Sequence, residues 1–202
     1  MPHLLELFSG TGSVGKVFRE NGWRVTAVDI RADFEPDICC DILELTPALV
    51  PGHVDLLWGS PPCTHYSAAR TTALTPRDLT ESDALVQHTL DLAEMLMCPF
   101  FIENPHNGLL KTRDVLAHVP YRVVDYCKYA DDSFTHKASW QPSRPLCRKD
   151  CGYCVDGRHV DCAQRGPCKG ATSRHSLEDL YAVPPQLCED IARWADEWIG
   201  RA

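Results

Sequence analysis

The first half of the sequence alternates short apolar runs with amphipathic stretches, and this alternation limits the possible folds more than any other feature. The apolar runs are HLLELF, WRVTAVDI, DICCDI, VDLLWGS and CPFFIENP, and most of them end in or next to Gly, Ser, Asp or Asn. Strands that alternate with helices form a parallel sheet covered by helices on both faces. We therefore predict an open α/β domain with these runs as its first five strands.

Three helices and a sixth strand complete the prediction. GSVGKVFRENG reads as a helix that ends at Gly22, and YRVVDYCKY reads as a sixth strand because it is rich in β-branched and aromatic residues. PPQLCEDIARWADEWIG reads as a closing helix with proline near its first turn. Residues 81–97 have apolar side chains at helical spacing, and the predicted buried face consists of Leu85, Val86, Thr89, Leu90, Ala93, Leu96 and Met97.

The composition changes after Trp140 to Pro, Gly, Cys and basic residues without periodicity. We predict an α/β body over residues 1–140, a small Cys-rich and loop-rich insert over 141–176, and a C-terminal helix over 177–202 that packs back on the body. At 202 residues the chain has the usual length of one globular unit with a small appendage.

The net charge of -8 is unevenly distributed. Residues 141–175 contain seven basic and three acidic residues, so the body carries the acidic excess. A basic segment of this kind suits a polyanionic partner, although a solvated loop of mixed charge would look similar. The sequence has no apolar stretch of membrane-spanning length and begins without a secretory signal, so we expect a cytoplasmic location. There, its eleven cysteines suggest thiol chemistry or metal binding rather than disulfides.

The segment LELFSGTGSVG has the pattern of a ligand-binding turn. It runs from a strand through a Gly-rich turn into a helix, and Asp29 ends the following strand. Glycines allow close approach of a ligand to the backbone, a helix N-terminus offers free N–H donors, and an acid at this spacing suits ribose hydroxyls. The pattern alone does not define the ligand, because a simple tight turn has the same appearance.

Two reactive side chains follow the fourth and fifth predicted strands. Cys63 stands in WGSPPC and Glu103 in FFIENP. Because ligands bind at the carboxyl edge of parallel sheets, both residues are candidates for one site. The alternatives are a small buried apolar Cys63 and a helix-capping or ion-paired Glu103.

The order of these motifs resembles that of the cytosine-5 DNA methyltransferases, including their small phage-type members. The resemblance rests on FSGTG, the acid that ends the second strand, Cys-Asp-Ile at 40–42, Pro-Pro-Cys and Glu-Asn-Pro. It covers residues 3 to about 107 and resumes at AVPPQLCEDIA, which looks like the last motif of that family. It implies a Rossmann-like, S-adenosylmethionine-dependent methyltransferase fold that acts on cytosine in DNA.

The resemblance also implies roles for individual residues. Cys63 would be the nucleophile that adds to carbon 6 of cytosine, and Glu103 its acid partner. The expected cofactor-binding residues are Phe8, Ser9, Gly10, Thr11 and Gly12 for the methionine end, Asp29 and Ile30 for the ribose and adenine, Asp41 and Ile42 for the adenine, and Pro61 beside them. The expected substrate-binding residues are Pro62, Asn104, Pro105 and Lys137. A duplex substrate would have to flip its cytosine, and RNA is not excluded.

The sequence departs from the family at SFTHKASW. The family usually has an Arg-bearing strand here that contacts the base, whereas this segment offers only His136 and Lys137. The third catalytic partner therefore stays open, and an exposed Lys137 without a role is an alternative.

Five cysteines cluster in the basic insert, with spacings that would let thiolates converge on one zinc ion. We predict zinc ligands at Cys147, Cys151, Cys154 and Cys162, with His159 and Cys168 in reserve. Reduced, partly buried thiols are the alternative. The insert is too short for the interface that sequence-specific DNA recognition usually needs, which predicts loose sequence specificity.

Two other functions remain open from the sequence. Ser60-Pro61-Pro62 also resembles the motif of enzymes that methylate exocyclic nitrogens, but Cys63 stands where that motif needs an aromatic residue. A non-catalytic protein that keeps the fold and holds DNA or a partner would explain the acidic body and the missing Arg strand.

Overall fold

A five-stranded parallel sheet forms the centre of the protein, seen in a computed structural model that describes residues 1–67, 70, 73–106, 108–124, 154–155, 158–159 and 182–200. The strands are β1 (His3–Leu7), β2 (Arg24–Asp29), β3 (Ile38–Cys39), β4 (Leu56–Gly59) and β5 (Phe100–Ile102). Their order in the sheet is β3-β2-β1-β4-β5, and all neighbours pair in parallel. This is the doubly wound, Rossmann-like order, so the predicted fold class is confirmed.

Helices cover both faces of this sheet. They are α1 (Ser13–Glu20), α2 (Leu79–Leu96) and α3 (Pro185–Ile199), at the positions that the sequence predicts. Single turns of 3-10 helix lie at Ala32–Phe34, Ile42–Glu44, Pro47–Leu49, Leu110–Thr112 and Asp114–Leu116. Asp78 caps α2 by accepting a hydrogen bond from the Glu81 amide at 2.9 Å.

The central strand β1 divides the apolar core into two layers. Leu4 packs with α1 and α3, whereas Leu5 and Leu7 pack with α2 on the opposite face. All three leucines are fully buried, as expected for a parallel strand covered on both sides. Because helices cover both faces of β1, a ligand can approach this strand only at its carboxyl end.

The C-terminal helix α3 is anchored to α1 and the residues that follow it. Its buried face consists of Leu187, Cys188, Ala192 and Ala195. Trp23 packs edge-on against Phe18, with ring centroids 5.1 Å apart, and its Nε1 donates a hydrogen bond to Asp196 Oδ1 of α3 at 3.0 Å. The C-terminal helix α3 thus packs against α1, although more than 150 residues separate them in the sequence.

Three details of the predicted elements are wrong. Residues 121–124 of the predicted sixth strand have no regular structure, because Tyr121 and Val123 are exposed to solvent instead of packing on the sheet. Met97 is not on the buried face of α2, because the helix ends there with a left-handed residue (φ 53°) whose side chain is 88% exposed. Fully buried Leu92 belongs to that face instead.

Most of the predicted insert lies outside the described residues. Within it, Cys154–Val155 and Arg158–His159 form a short antiparallel hairpin in which Cys154 pairs with His159 in the backbone register. No described helix combines the length and the apolar character needed to cross a bilayer. The predicted domain boundaries remain a prediction.

Replacing Leu187 with Ala is expected to lower the free energy of unfolding by about 2–5 kcal/mol, because it leaves a cavity between α3 and α1. Urea denaturation followed by tryptophan fluorescence measures the change. Leu74→Ala is the matched control, since Leu74 is fully exposed and its loss should have little effect. Equal stability of the two variants would contradict the observed docking of α3.

Candidate active site

A cavity of about 460 Å³ opens at the carboxyl edge of the sheet, and we call it the carboxyl-edge cavity. The residues that follow β1, β2, β4 and β5 all contribute to its wall. The structure brings together here nearly all of the predicted cofactor and substrate residues: Phe8, Ser9, Gly10, Thr11, Asp29, Ile30, Asp41, Ile42, Pro61, Pro62, Cys63, Glu103, Asn104 and Pro105. Gly12 is the left-handed residue before α1 and does not line the cavity. Lys137 and the cysteine cluster lie outside the described side chains.

The Gly-rich turn after β1 owes its shape to left-handed residues. Phe8, Gly10 and Gly12 all have positive φ values, of 56°, 49° and 68°. Gly10 is required for its backbone conformation rather than for space, because a Cβ there would meet nothing within 4 Å. The space beside Gly10 leaves room for a ligand to approach the backbone.

Asp29 holds this turn against the end of β2. Its carboxylate accepts hydrogen bonds from the Gly10 amide at 2.8 Å and from the Arg31 amide at 2.9 Å. Each oxygen keeps a second lone pair, so hydroxyl donors of a ligand could bind the same carboxylate.

The part of the cavity wall that follows β2 includes exposed apolar surface. Ile30 is 65% exposed at its edge, and the guanidinium of Arg31 lies 4.1 Å from the centre of the Phe34 ring. Asp41 uses one oxygen to cap the following turn, accepting from the Leu43 amide at 2.9 Å. An exposed apolar surface next to a carboxylate suits a flat heterocycle with an amino group. Arg31 and Phe34 are cavity residues that sequence reasoning missed.

The segment after β4 holds Cys63 in a tight turn. The Cys63 carbonyl accepts hydrogen bonds from the amides of Tyr66 at 3.0 Å and Ser67 at 2.8 Å. Asn104 Nδ2, after β5, donates to the Pro61 carbonyl at 2.9 Å and so ties the two strand-end segments together. Asn104 Oδ1 is buried and has no hydrogen-bond partner among the described residues.

Cys63 and Glu103 influence each other electrostatically. Burial raises the pKa of the Cys63 thiol, and the nearby Glu103 carboxylate raises it further. The thiolate is therefore disfavoured most strongly while Glu103 is ionised, and less strongly once Glu103 is neutral. This coupling suits a nucleophile and an acid that act on the same substrate.

A partly buried hydrogen-bond network holds this turn in place. Tyr66 is fully buried, and its hydroxyl donates to Asp83 Oδ1 of α2 at 2.9 Å. Arg113 donates to the same carboxylate through Nη2 at 2.6 Å and Nε at 2.9 Å. The Tyr66 carbonyl accepts from the Leu109 amide at 2.9 Å. Two segments distant in sequence, α2 and residues 109–113, thus hold the turn of Cys63 in place, a feature that motif spacing does not reveal.

A relative from Frog virus 3 (isolate Goorha), described as a probable DNA (cytosine-5)-methyltransferase, is 29% identical to this chain over 218 residues. The match covers 93% of this chain and 97% of the relative. The resemblance recognised from the motifs is therefore confirmed by similarity along nearly the whole sequence. No family model matches the chain.

The chain also has a structural neighbour, a prophage-encoded E. coli protein assigned as a DNA modification methyltransferase. It is 21% identical, with a TM-score of 0.42, and the match covers 58% of this chain. The matched part spans only 35% of that protein's chain.

Glu103→Gln is expected to accelerate alkylation of Cys63 by iodoacetamide at pH 8, because removing the negative charge lowers the pKa of the thiol and raises its thiolate fraction. Peptide mass spectrometry separates modification of Cys63 from that of exposed Cys39. Glu20→Gln, at the exposed end of α1, is the charge-matched control. An unchanged or slower rate in Glu103→Gln would mean that the two side chains are not coupled.

Proposed function

We propose that this chain transfers a methyl group from S-adenosylmethionine to carbon 5 of cytosine in DNA, through a covalent adduct between Cys63 and carbon 6. The observation that carries the proposal is the presence of Cys63 and Glu103 on one cavity wall, electrostatically coupled and following neighbouring parallel strands. The named activity of the viral relative supports the same reaction.

The carboxyl-edge cavity fits the cofactor. S-adenosylmethionine carries positive charge at its sulfonium and amino groups, and acidic Glu6, Asp29 and Asp41 line the cavity. The apolar edge at Ile30 and Phe34 suits the adenine, and the open space beside Gly10 admits a ligand close to the backbone. The volume lies within the usual range for cofactor sites.

Cys63 and Glu103 have different roles in the reaction of the cytosine ring. Carbon 5 is a weak nucleophile until the Cys63 thiolate adds to carbon 6 while the Glu103 carboxyl donates a proton to N3. Bound S-adenosylmethionine would supply the methyl group to carbon 5 as an electrophilic carbon, and the break of its carbon–sulfur bond would leave S-adenosylhomocysteine. Loss of the proton from carbon 5 and departure of the Cys63 thiolate then restore the aromatic ring, and N3 loses the proton that it gained.

The substrate must expose the face of its cytosine ring to Cys63. A stacked base does not do so, and we therefore infer that a duplex substrate flips its target base into the cavity. Asn104, Pro62 and Pro105 line the cavity beside Cys63 and would shape the base pocket. A role for Lys137 in base contact belongs to the same proposal.

The cysteine cluster supports a further part of this proposal, a zinc ion held by Cys147, Cys151, Cys154 and Cys162. Cys154 lies opposite His159 in the backbone register of the short antiparallel pair, so one candidate ligand is next to a reserve ligand. Among the described residues no group of three or more potential ligands gathers. The cytoplasmic location, the phage-type origin and the loose sequence specificity remain predictions.

Cys63→Ser is expected to lower methyl transfer by roughly a thousandfold or more, because a serine hydroxyl is a far weaker nucleophile at neutral pH. Labelled S-adenosylmethionine and cytosine-containing DNA provide the assay, with RNA in parallel. Cys39→Ser removes an exposed thiol and should retain activity.

Mass analysis of the digested product separates the candidate functions. The proposal requires 5-methylcytosine from the wild-type protein and almost none from Cys63→Ser. N4-methylcytosine would instead identify an amino-methyltransferase. DNA binding without transfer by the wild-type protein would identify a non-catalytic binding protein.

A further inference from the structure

The segment after β5 continues past the cavity wall with residues that have no part in the proposed reaction. Residues 103–105 line the carboxyl-edge cavity, and His106 follows them directly in the chain. The His106 ring lies next to the ring of Tyr121, with centroids 6.1 Å apart and planes inclined by 36°. An aromatic pair therefore begins where the wall of the cavity ends.

Tyr121 exposes most of its surface to solvent. Its residue surface is 66% exposed, so burial in the apolar core does not explain the ring. Single exposed rings are common on protein surfaces, and the neighbours of Tyr121 are what distinguish it. An exposed aromatic face beside a positive charge is the combination on which the bases of a nucleic acid strand stack.

Lys111 provides a positive charge beside the aromatic pair. Its ammonium group donates to the His106 carbonyl at 2.6 Å and lies 3.4 Å from His106 Nε2. Both acceptors lack a negative charge, and Lys111 forms no salt bridge among the described residues. The charge is therefore held in place without being neutralised. An ammonium group has three N–H donors, so one is left over for an anionic ligand.

The charge of this segment differs from that of the cavity. Residues 106–122 contain three basic residues, one acidic residue and two histidines. Arg113 pairs with Asp83 of α2, which leaves two basic residues and one acidic residue. The cavity wall, by contrast, carries five carboxyl groups and one guanidinium group. A polyanion that delivers a base to the cavity is thus repelled by the wall and tolerated beside it.

We propose that His106, Lys111 and Tyr121 form an aromatic–basic patch that binds the nucleotide next to the target cytosine. The inference rests on the proposed function and specifies an unpaired strand as the preferred substrate. The Tyr121 ring stacks on the base of that nucleotide, and the Lys111 ammonium binds a phosphate oxygen. Bases within a duplex are already stacked on both faces, so a single strand or a locally opened duplex offers this face more readily.

The aromatic–basic patch would be insensitive to sequence. Every base has an aromatic face, and stacking on a tyrosine ring therefore tolerates any neighbour of the cytosine. This agrees with the loose sequence specificity that the short insert predicts. One ammonium group adds little to the overall attraction for a polyanion, which would still depend on the basic residues of 141–175.

Fluorescence anisotropy with a labelled thymine-only oligonucleotide of about twelve nucleotides isolates the patch, because this probe has no cytosine for the Cys63 site. Tyr121→Ala should weaken binding by about tenfold, whereas Tyr121→Phe keeps the ring and should bind nearly as the wild type does. Val123→Ala, at an exposed position of the same segment, is the control and should have no effect.

The role of Lys111 is tested with the same probe at increasing salt concentration. Lys111→Gln should weaken binding and reduce the slope of affinity against salt by about one phosphate contact. Lys16→Gln, at an exposed position of α1, is the charge-matched control and should change neither quantity. Equal slopes in the wild type and Lys111→Gln would show that this ammonium group does not contact phosphate.

A second measurement locates the stacked base. Oligonucleotides with one cytosine carry an abasic residue in place of its 5′ or its 3′ neighbour. At one of these two positions, loss of the base should weaken wild-type binding as much as Tyr121→Ala does, and the two changes together should cost no more than either alone. In methylation assays, Tyr121→Ala should raise KM for the single strand and leave kcat nearly unchanged. Wild-type KM should be lower for the single strand than for the paired duplex.

The outcomes separate this inference from the proposed function. If the wild type forms 5-methylcytosine but Tyr121→Ala binds and turns over as the wild type does, or loses no more affinity than Val123→Ala, the inference is wrong and the proposed function stands. Additive losses at both abasic positions also overturn the inference. If the wild type forms no 5-methylcytosine on any substrate, the proposed function fails, and a role of the patch beside a target cytosine fails with it.

Discussion

The parallel pairing of β4 with β5 is the constraint on which the site depends. Gly59 pairs with Ile102, and the Glu103 amide then donates to the Gly59 carbonyl at 2.9 Å. This register aligns the end of β4 with the end of β5. The segments that follow these strands, which contain Cys63 and Glu103, therefore reach the same cavity. A shift by one residue would turn each side chain of β5 to the opposite face of the sheet.

The electrostatics of the cavity suit a cation better than an anion. Five carboxyl groups line the cavity, those of Glu6, Asp29, Asp41, Glu81 and Glu103, and among the described residues of its wall only Arg31 carries a positive charge. Such a wall attracts a sulfonium ion but disfavours both the Cys63 thiolate and a DNA backbone. Burial raises the pKa of the Cys63 thiol, and the Glu103 carboxylate raises it further. The basic residues of 141–175 would have to supply the attraction for phosphate.

The sequence predicted the parts of the site that depend on strand ends. Parallel strands end at a common edge, so the residues after β1, β2, β4 and β5 were expected to meet there, and the cavity contains nearly all of them. The family resemblance then supplied roles for Cys63 and Glu103, which periodicity alone could not. These roles rest on short motifs of consecutive residues, which can be recognised in the sequence without knowledge of the fold.

The features that escaped prediction depend on long-range packing. The network of Tyr66, Asp83 and Arg113 joins residues far apart in the chain, and nothing in the spacing of these residue types indicates that they meet. Glu6 gave one unused signal, a charged residue within the apolar run HLLELF. Its burial results from the packing of α1 and α3 on that face of β1, which the sequence pattern does not indicate. The end of α2 at Met97 was set by local backbone geometry that apolar periodicity does not encode.

The central claim is that a sulfur atom of this chain bonds to carbon 6 of the target cytosine. Reaction with S-adenosylmethionine and DNA containing 5-fluorocytosine tests it most directly. Carbon 5 of this base carries fluorine in place of the hydrogen that is normally lost as a proton, so the covalent adduct persists. The account predicts a covalent complex whose digest carries the modified base on the peptide that contains Cys63. Methylation of ordinary cytosine at carbon 5 with no trapped complex, or with the adduct on another cysteine, would contradict it.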